Sequence, residues 1–79
     1  MRYKNCIYMN LLNEIKERGM SYSQVAKILD ITESQFSFMM LGKRRWILSY
    51  EVALSNYFGK SLDYLFKEDY ERKYLNKED

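Results

Sequence analysis

Two helix-capping patterns stand close together in this chain and limit what it can fold into. Residues 21–24 (Ser-Tyr-Ser-Gln) and 32–35 (Thr-Glu-Ser-Gln) both place glutamine three positions after a hydroxyl residue, which is the form of a capping box. They predict helices over 22–29 and 33–41, joined by only three residues. Such a short connection forces the two helices to cross steeply, with Ile31 as the apolar plug of the turn.

Glycines and further hydroxyl residues divide the rest of the chain into short helices. Gly19, Gly42 and Gly59 each follow an apolar stretch of helical spacing, where a left-handed residue closes a helix. Ser49 and Ser61 are the expected N-caps of the fourth and fifth helices. Apolar residues recur at intervals of three and four rather than two, which predicts an all-α bundle of five helices. The remaining helices are expected at residues 5–18, 49–58 and 62–66 or beyond.

Composition excludes several classes of function. The 79 residues suffice for one domain, and they include no histidine and a single cysteine, Cys6. Zinc fingers, histidine-dependent triads and an internal disulfide are therefore excluded, and no cofactor is expected. The first residues lack the apolar segment and small-residue cleavage site of a signal peptide, so none is expected, and no apolar run comes near the ~20 residues of a membrane span. We expect a cytoplasmic protein that is not an enzyme, binds no small molecule, and keeps Cys6 as a buried or half-buried thiol.

Charge separates the chain into two parts. Residues 1–66 carry nine lysines and arginines against six acidic residues, whereas residues 67–79 carry four against five. The first part is expected to be the folded domain. The tail continues a four-residue spacing of aromatic side chains, namely Phe66, Tyr70 and Tyr74. It therefore either extends the last helix or forms a frayed, solvated terminus.

Many residues of the middle of the chain stand at the spacing of one known domain family. The more specific pieces are the Gly-Lys-Arg motif at 42–44 and the Ser-Leu-Asp-x-Leu-Phe motif at 61–66. The pattern also contains Gly19, Met20, Ser21, Val25, Ala26, Leu29, Ile31, Thr32, Phe36, Leu48, Ala53, Leu54, Phe58 and Gly59. On these residues, the chain from 19 to 66 resembles the Xre family of Cro- and lambda-repressor-like domains. The resemblance implies a lambda-repressor-like helix-turn-helix fold over residues 1–66. It also implies sequence-specific binding of double-stranded DNA by a homodimer that regulates transcription, expected to be a repressor.

The third helix corresponds to the DNA-recognition helix of that family. At 100° per residue, Phe36 and Met39 point inward with Met40 beside them. The opposite face carries Ser34, Ser37, Phe38 and Leu41. By similarity, the residues that face DNA here are Thr32, Glu33, Ser34, Ser37 and Phe38. Serine hydroxyls hydrogen-bond base edges or phosphates, a glutamate accepts from cytosine N4, and a phenylalanine ring rests on a thymine methyl. Alternatively, Ser34 and Ser37 are ordinary solvated positions and contact no base.

Two further groups are expected to contact the DNA backbone. Tyr22 and Ser23 match positions at the start of the preceding helix whose side chains or N–H groups meet phosphate. The adjacent cations Lys43, Arg44 and Arg45 follow the recognition helix and are expected to neutralise phosphate charge, with a solvated loop as the alternative.

Some aromatic and apolar residues leave alternatives open. Phe38 is expected to contact the DNA groove, to contact a partner protein, or to pack against Trp46, whereas Trp46 is expected to pack. In a competing interpretation the fold serves as a protein-docking module. Phe38 and Leu41 beside Met40, with Glu33 at the edge, would then suit a protein groove.

The resemblance also implies contact between two copies of the chain. The last helix and the tail are the expected source of this dimer surface. Its expected residues are Leu62, Phe66, Tyr70 and Tyr74.

Overall fold

Five helices joined by short turns make up most of the computed structural model, which describes residues 6–72. They are α1 (Met9–Glu17), α2 (Tyr22–Leu29), α3 (Glu33–Met40), α4 (Leu48–Phe58) and α5 (Leu62–Leu65). Residues 70–72 are helical again. No β-strand occurs between residues 6 and 72, so the predicted all-α class is confirmed. Within the same residues, no helix has both the length and the apolar character that crossing a membrane requires.

Side-chain caps explain where several helices begin. The Ser21 hydroxyl accepts from Gln24 N at 3.2 Å, and Ser21 N donates to the Gln24 side chain at 2.8 Å. In the same way, the Thr32 hydroxyl accepts from Gln35 N at 3.1 Å, and Thr32 N donates to the Gln35 side chain at 3.0 Å. Both predicted capping boxes are therefore confirmed. Ser61 caps α5, also as predicted.

The starts of α4 and α1 differ from the prediction. Ile47, not Ser49, holds the N-cap position of α4, and no side chain caps this helix. The first turn instead uses the Ile47 carbonyl, which accepts from Tyr50 N at 3.1 Å. The prediction that Ser49 is the cap is wrong. α1 begins at Met9 rather than at residue 5, because the residues just before it bond to distant parts of the chain.

The core collects apolar side chains from every helix. Its fully buried members include Leu11, Leu12, Ile15, Val25, Phe36, Met40, Leu54 and Leu65. Phe36, Met39 and Met40 are all buried, which confirms the predicted inward face of α3. Cys6 is buried as predicted, and this burial raises the pKa of its thiol.

A short N-terminal strap, residues 6–8, connects the end of α3 to the segment after α5. Ile7 N donates to Met40 O at 2.9 Å, and Ile7 O accepts from Asp69 N at 2.7 Å. Arg72 Nη1 donates to Cys6 O, the carbonyl of the first strap residue, at 3.0 Å. The strap thus satisfies backbone groups at the C-terminal end of α3 and joins them to residues 69–72.

The helix α5 ends at Leu65 and does not continue into the tail. Residues 67–69 are not helical, and the Asp69 carboxylate accepts from Arg72 N at 3.1 Å at the start of the next turn. Of the two alternatives for the tail, a continuous extension of the last helix is not found up to residue 72. Tyr74 lies outside the described residues.

Gly42 is expected to tolerate alanine less well than Gly19. Both have positive φ, +78° and +64°, so alanine costs about 1–2 kcal/mol of backbone strain at either position. At Gly42 the added Cβ would also lie 2.6 Å from Ile7 Cδ1, whereas nothing lies within 4 Å at Gly19. Gly42→Ala should therefore lower the free energy of unfolding by about 1 kcal/mol more than Gly19→Ala, as measured by urea denaturation. Equal losses for the two variants would contradict a close packing of the strap on this turn.

A buried carboxylate joins α1 to the ends of α4 and α5. Glu14 is 4% exposed, forms an ion pair with Arg18, lies 3.8 Å from Lys60 Nζ, and accepts from the Tyr64 hydroxyl at 3.3 Å. Arg18 also donates to Phe58 O at 3.1 Å, a carbonyl in the last turn of α4. The hydrogen bond from Arg18 lowers the pKa of Glu14, although burial acts in the opposite direction.

The Glu14 network is expected to make folding stability depend on pH in acid. Since the folded state lowers the pKa of Glu14, its contribution is present above the ordinary value of 4.5 and is lost as the pH falls through the lower folded value. Glu14→Gln should reduce stability at pH 7 by about 2 kcal/mol, because Arg18 loses a charged acceptor.

The measurement is Tm between pH 7 and pH 3, with exposed Glu17→Gln as the matched control. Tm of Glu14→Gln should fall less steeply below pH 4.5 than that of the wild type. Parallel curves for the two proteins would mean that Glu14 is not the group responsible.

Candidate nucleic-acid interface

The turn between α2 and α3 holds α3 at the surface. Asp30 ends α2 in the left-handed conformation, with φ +60°, which aspartate adopts more readily than most side chains. Asp30 N donates to Lys27 O at 3.2 Å and Ile31 N donates to Ala26 O at 3.0 Å, so two carbonyls in the last turn of α2 are paired. Ile31 packs against the core, as predicted for the plug of this turn. Three residues therefore suffice to join two helices that pack against each other.

Phe36 sets the rotation of α3 about its own axis. Its ring meets Tyr22 edge to face, with centroids 5.0 Å apart, and meets Trp46 at 5.9 Å. Trp46 Nε1 donates to Met39 O at 3.2 Å, and the Trp46 ring also packs on Phe66 at 4.8 Å. Trp46 is therefore a packing residue, as predicted, and it fixes the loop after α3 to the helix itself.

The outward face of α3 has the polar character expected from the sequence. Ser34 and Phe38 lie one helical turn apart and are exposed, Phe38 by 49%. Thr32 at the N-cap is exposed, whereas Glu33 and Ser37 are half-buried. Three of the five residues expected to face DNA on this helix are thus open to solvent, and the other two lie at the margins of the face.

The Tyr22 side chain lies in the core and not at the surface, which corrects the phosphate contact expected of that side chain but not one through the backbone N–H. The residue is fully buried and its ring fills the space between α2 and α3. Ser23 beside it is exposed, as a phosphate contact requires. The signal that indicates burial is the spacing of Tyr22 with Val25, Ala26 and Leu29, which together form the buried stripe of α2.

The apolar surface considered for protein docking is narrower than the sequence indicates. Met40 is fully buried and Leu41 is half-buried, so Phe38 is the exposed apolar side chain of this group. Among residues 6–72, no ring contact joins Phe38 to Trp46, whose ring packs toward the core. Of the three alternatives for Phe38, packing on Trp46 is the one that the structure disfavours.

The basic cluster, Lys43, Arg44 and Arg45, follows directly after α3. All three side chains are exposed, and none forms an ion pair within the described part of the chain. Gly42, with φ +78°, turns the chain here, and Lys43 N donates to Phe38 O at 3.0 Å. These contacts hold the three cations of the basic cluster directly after α3.

The residues expected in a dimer surface differ in their exposure. Tyr70 is 75% exposed and Leu62 is half-buried. Phe66 is half-buried like Leu62, and its ring packs on Trp46 of the same chain. Tyr74 again falls beyond residue 72.

The described part of the chain holds no group of three or more side chains suited to a metal ion. Comparison of the chain with models of protein families, with curated proteins and with solved structures finds no match. The outward face of α3 and the basic cluster are therefore the basis for assigning a function.

Proposed function

We propose that this chain is an Xre-type transcriptional regulator that binds double-stranded DNA through a helix-turn-helix formed by α2 and α3. The observation that carries the proposal is the outward polar face of α3 beside a basic cluster that forms no ion pair within residues 6–72. α3 has eight residues and is therefore about 12 Å long, comparable to the ~12 Å width of the major groove. The exposed Ser34 side chain is short and allows the N-terminal part of the helix to approach base edges closely.

In this arrangement α3 reads bases through small polar and apolar contacts. The Ser34 hydroxyl hydrogen-bonds a base edge, the Phe38 ring rests on a thymine methyl, and Glu33 at the margin accepts from a cytosine amino group. The Gln35 side-chain oxygen is engaged in the capping box with Thr32 N, so this oxygen does not read bases. Base preference is therefore expected to be strongest at thymine positions.

Phosphate contacts supply most of the affinity in this proposal. A hydrogen bond from Lys43 N to Phe38 O links the basic cluster to α3. When α3 lies in the major groove of DNA, the cations therefore meet the phosphates of the adjacent DNA strand. Ser23 is exposed in the first turn of α2. Its hydroxyl and the N–H groups at this helix N-terminus add further phosphate contacts.

The regulator acts as a homodimer in this proposal and represses by covering its operator. Two α3 helices about 34 Å apart would read half-sites one DNA turn apart. Tyr70, which is 75% exposed, and half-buried Leu62 are the side chains that support a contact between copies.

The salt dependence of DNA binding tests the role of the basic cluster. Arg44→Ala and Arg45→Ala should each weaken binding to a random-sequence duplex and flatten the slope of log K against log salt by about 0.9, because each phosphate-bound cation releases counterions. Electrophoretic mobility shift between 50 and 200 mM salt gives the slope. Lys67→Ala removes an exposed cation beside Met9 and Asn10 and is the matched control. No binding by the wild-type chain at 50 mM salt would overturn the proposed function.

The Phe38→Ala variant tests base recognition separately from the phosphate contacts of the basic cluster. We expect affinity for a duplex obtained by selection from a random pool to fall about tenfold, equivalent to about 1.4 kcal/mol, because a thymine methyl loses its apolar contact. Affinity for unselected duplex and the salt slope should stay unchanged, since no charge is removed. Equal weakening for selected and unselected duplexes would show that Phe38 does not read a base.

A further inference from the structure

A second recognition feature lies between α3 and the start of α4. It is a groove of about 190 Å³ that draws side chains from the α2–α3 turn, from α3, from the following loop and from α4. The residues that line it are Ile31, Gln35, Met39, Arg44, Arg45, Ile47 and Tyr50. Lys43, the third cation of the basic cluster, does not line this groove.

Hydrocarbon and thioether groups form part of this groove. Ile47 is 46% exposed although it is apolar, and half-buried Ile31 and buried Met39 lie with it in the lining. A phosphate gains nothing from such groups, because its oxygens need hydrogen-bond donors. An apolar side chain entering the groove would remove Ile47 from water and be stabilised there.

The polar part of the lining is rich in hydrogen-bond donors. Arg44 and Arg45 offer guanidinium groups that form no ion pair within residues 6–72. The Gln35 side-chain oxygen already accepts from Thr32 N at 3.0 Å, so its NH2 group is the part that can serve a ligand. No aspartate or glutamate is among the lining residues. The groove is therefore complementary to an anion that also carries an apolar group.

We propose that this groove binds an acidic peptide segment of another protein, with an apolar side chain in the groove and carboxylates on Arg44 and Arg45. Bidentate pairing between guanidinium and carboxylate supplies orientation, and the contact with Ile47 distinguishes the peptide from a bare phosphate chain. Since the same two arginines contact phosphates in the proposed function, peptide and DNA exclude each other. This competition rests on the proposed function, whereas binding of the peptide does not.

Selection from a phage-displayed library of random dodecapeptides tests the proposal with the full chain. We expect the recovered peptides to combine acidic residues with leucine, isoleucine or phenylalanine. A fluorescein-labelled recovered peptide is then titrated by anisotropy against the wild-type chain and its variants. Two altered peptides are the controls: in one, glutamine replaces each glutamate, and in the other, serine replaces the apolar residue.

Three variants divide the two binding activities. Ile47→Ser removes the apolar contact and leaves every cation in place, and it should fold normally because serine is a preferred residue at an N-cap position. Arg45→Ala removes a cation that peptide and DNA share, whereas Lys43→Ala removes one outside the groove. We expect peptide affinity to fall about tenfold for Ile47→Ser and Arg45→Ala and to stay unchanged for Lys43→Ala.

DNA affinity, measured on the same variants, should show a different pattern. It should fall for Arg45→Ala and Lys43→Ala, stay unchanged for Ile47→Ser, and fall for the wild type when peptide is added. Recovery of no acidic peptide, or equal peptide affinity for the wild type and Ile47→Ser, would overturn the groove proposal. Failure of duplex binding together with the expected peptide pattern would instead overturn the proposed function alone.

Discussion

One aromatic side chain determines which face of α3 meets solvent. Phe36 packs between Tyr22 and Trp46 and is fully buried, and burial of an aromatic side chain of this size stabilises a fold by about 2–3 kcal/mol. Trp46 in turn donates to Met39 O, so the loop after α3 is bonded to the helix. The polar face, the basic cluster and the neighbouring groove all take their positions from this packing.

The parts of the fold that depend on neighbouring residues could be predicted from the sequence. The caps Ser21 and Thr32 act over three residues, and both predicted boxes occur in the structure. Gly19, Gly42 and Gly59 all have positive φ, as their positions after apolar stretches predict. The exposed residues of α3 and the basic cluster were predictable for the same reason, because helical periodicity assigns each position a face.

The remaining features depend on contacts between residues far apart in sequence. Ile7 reads as part of a first helix, yet its backbone bonds to residues 40 and 69 and its side chain lies against Gly42. The buried stripe of α2 indicates that Tyr22 is buried, but its ring partner Phe36 belongs to the next helix and is not marked by that pattern. The groove beside α3 is lined by residues of the α2–α3 turn, of α3, of the loop that follows it and of α4. No short sequence pattern therefore marks this groove.

The strap has a consequence for how the protein is made. Its bonds to Asp69 and Arg72 form only after translation has passed α5 and the whole segment up to residue 72 has left the ribosome. A nascent chain that stops at Phe66 contains α2 and α3 but lacks the hydrogen bonds that Asp69 and Arg72 donate to the strap. Incomplete polypeptides would therefore present a less firmly fixed α3 than chains translated through residue 72.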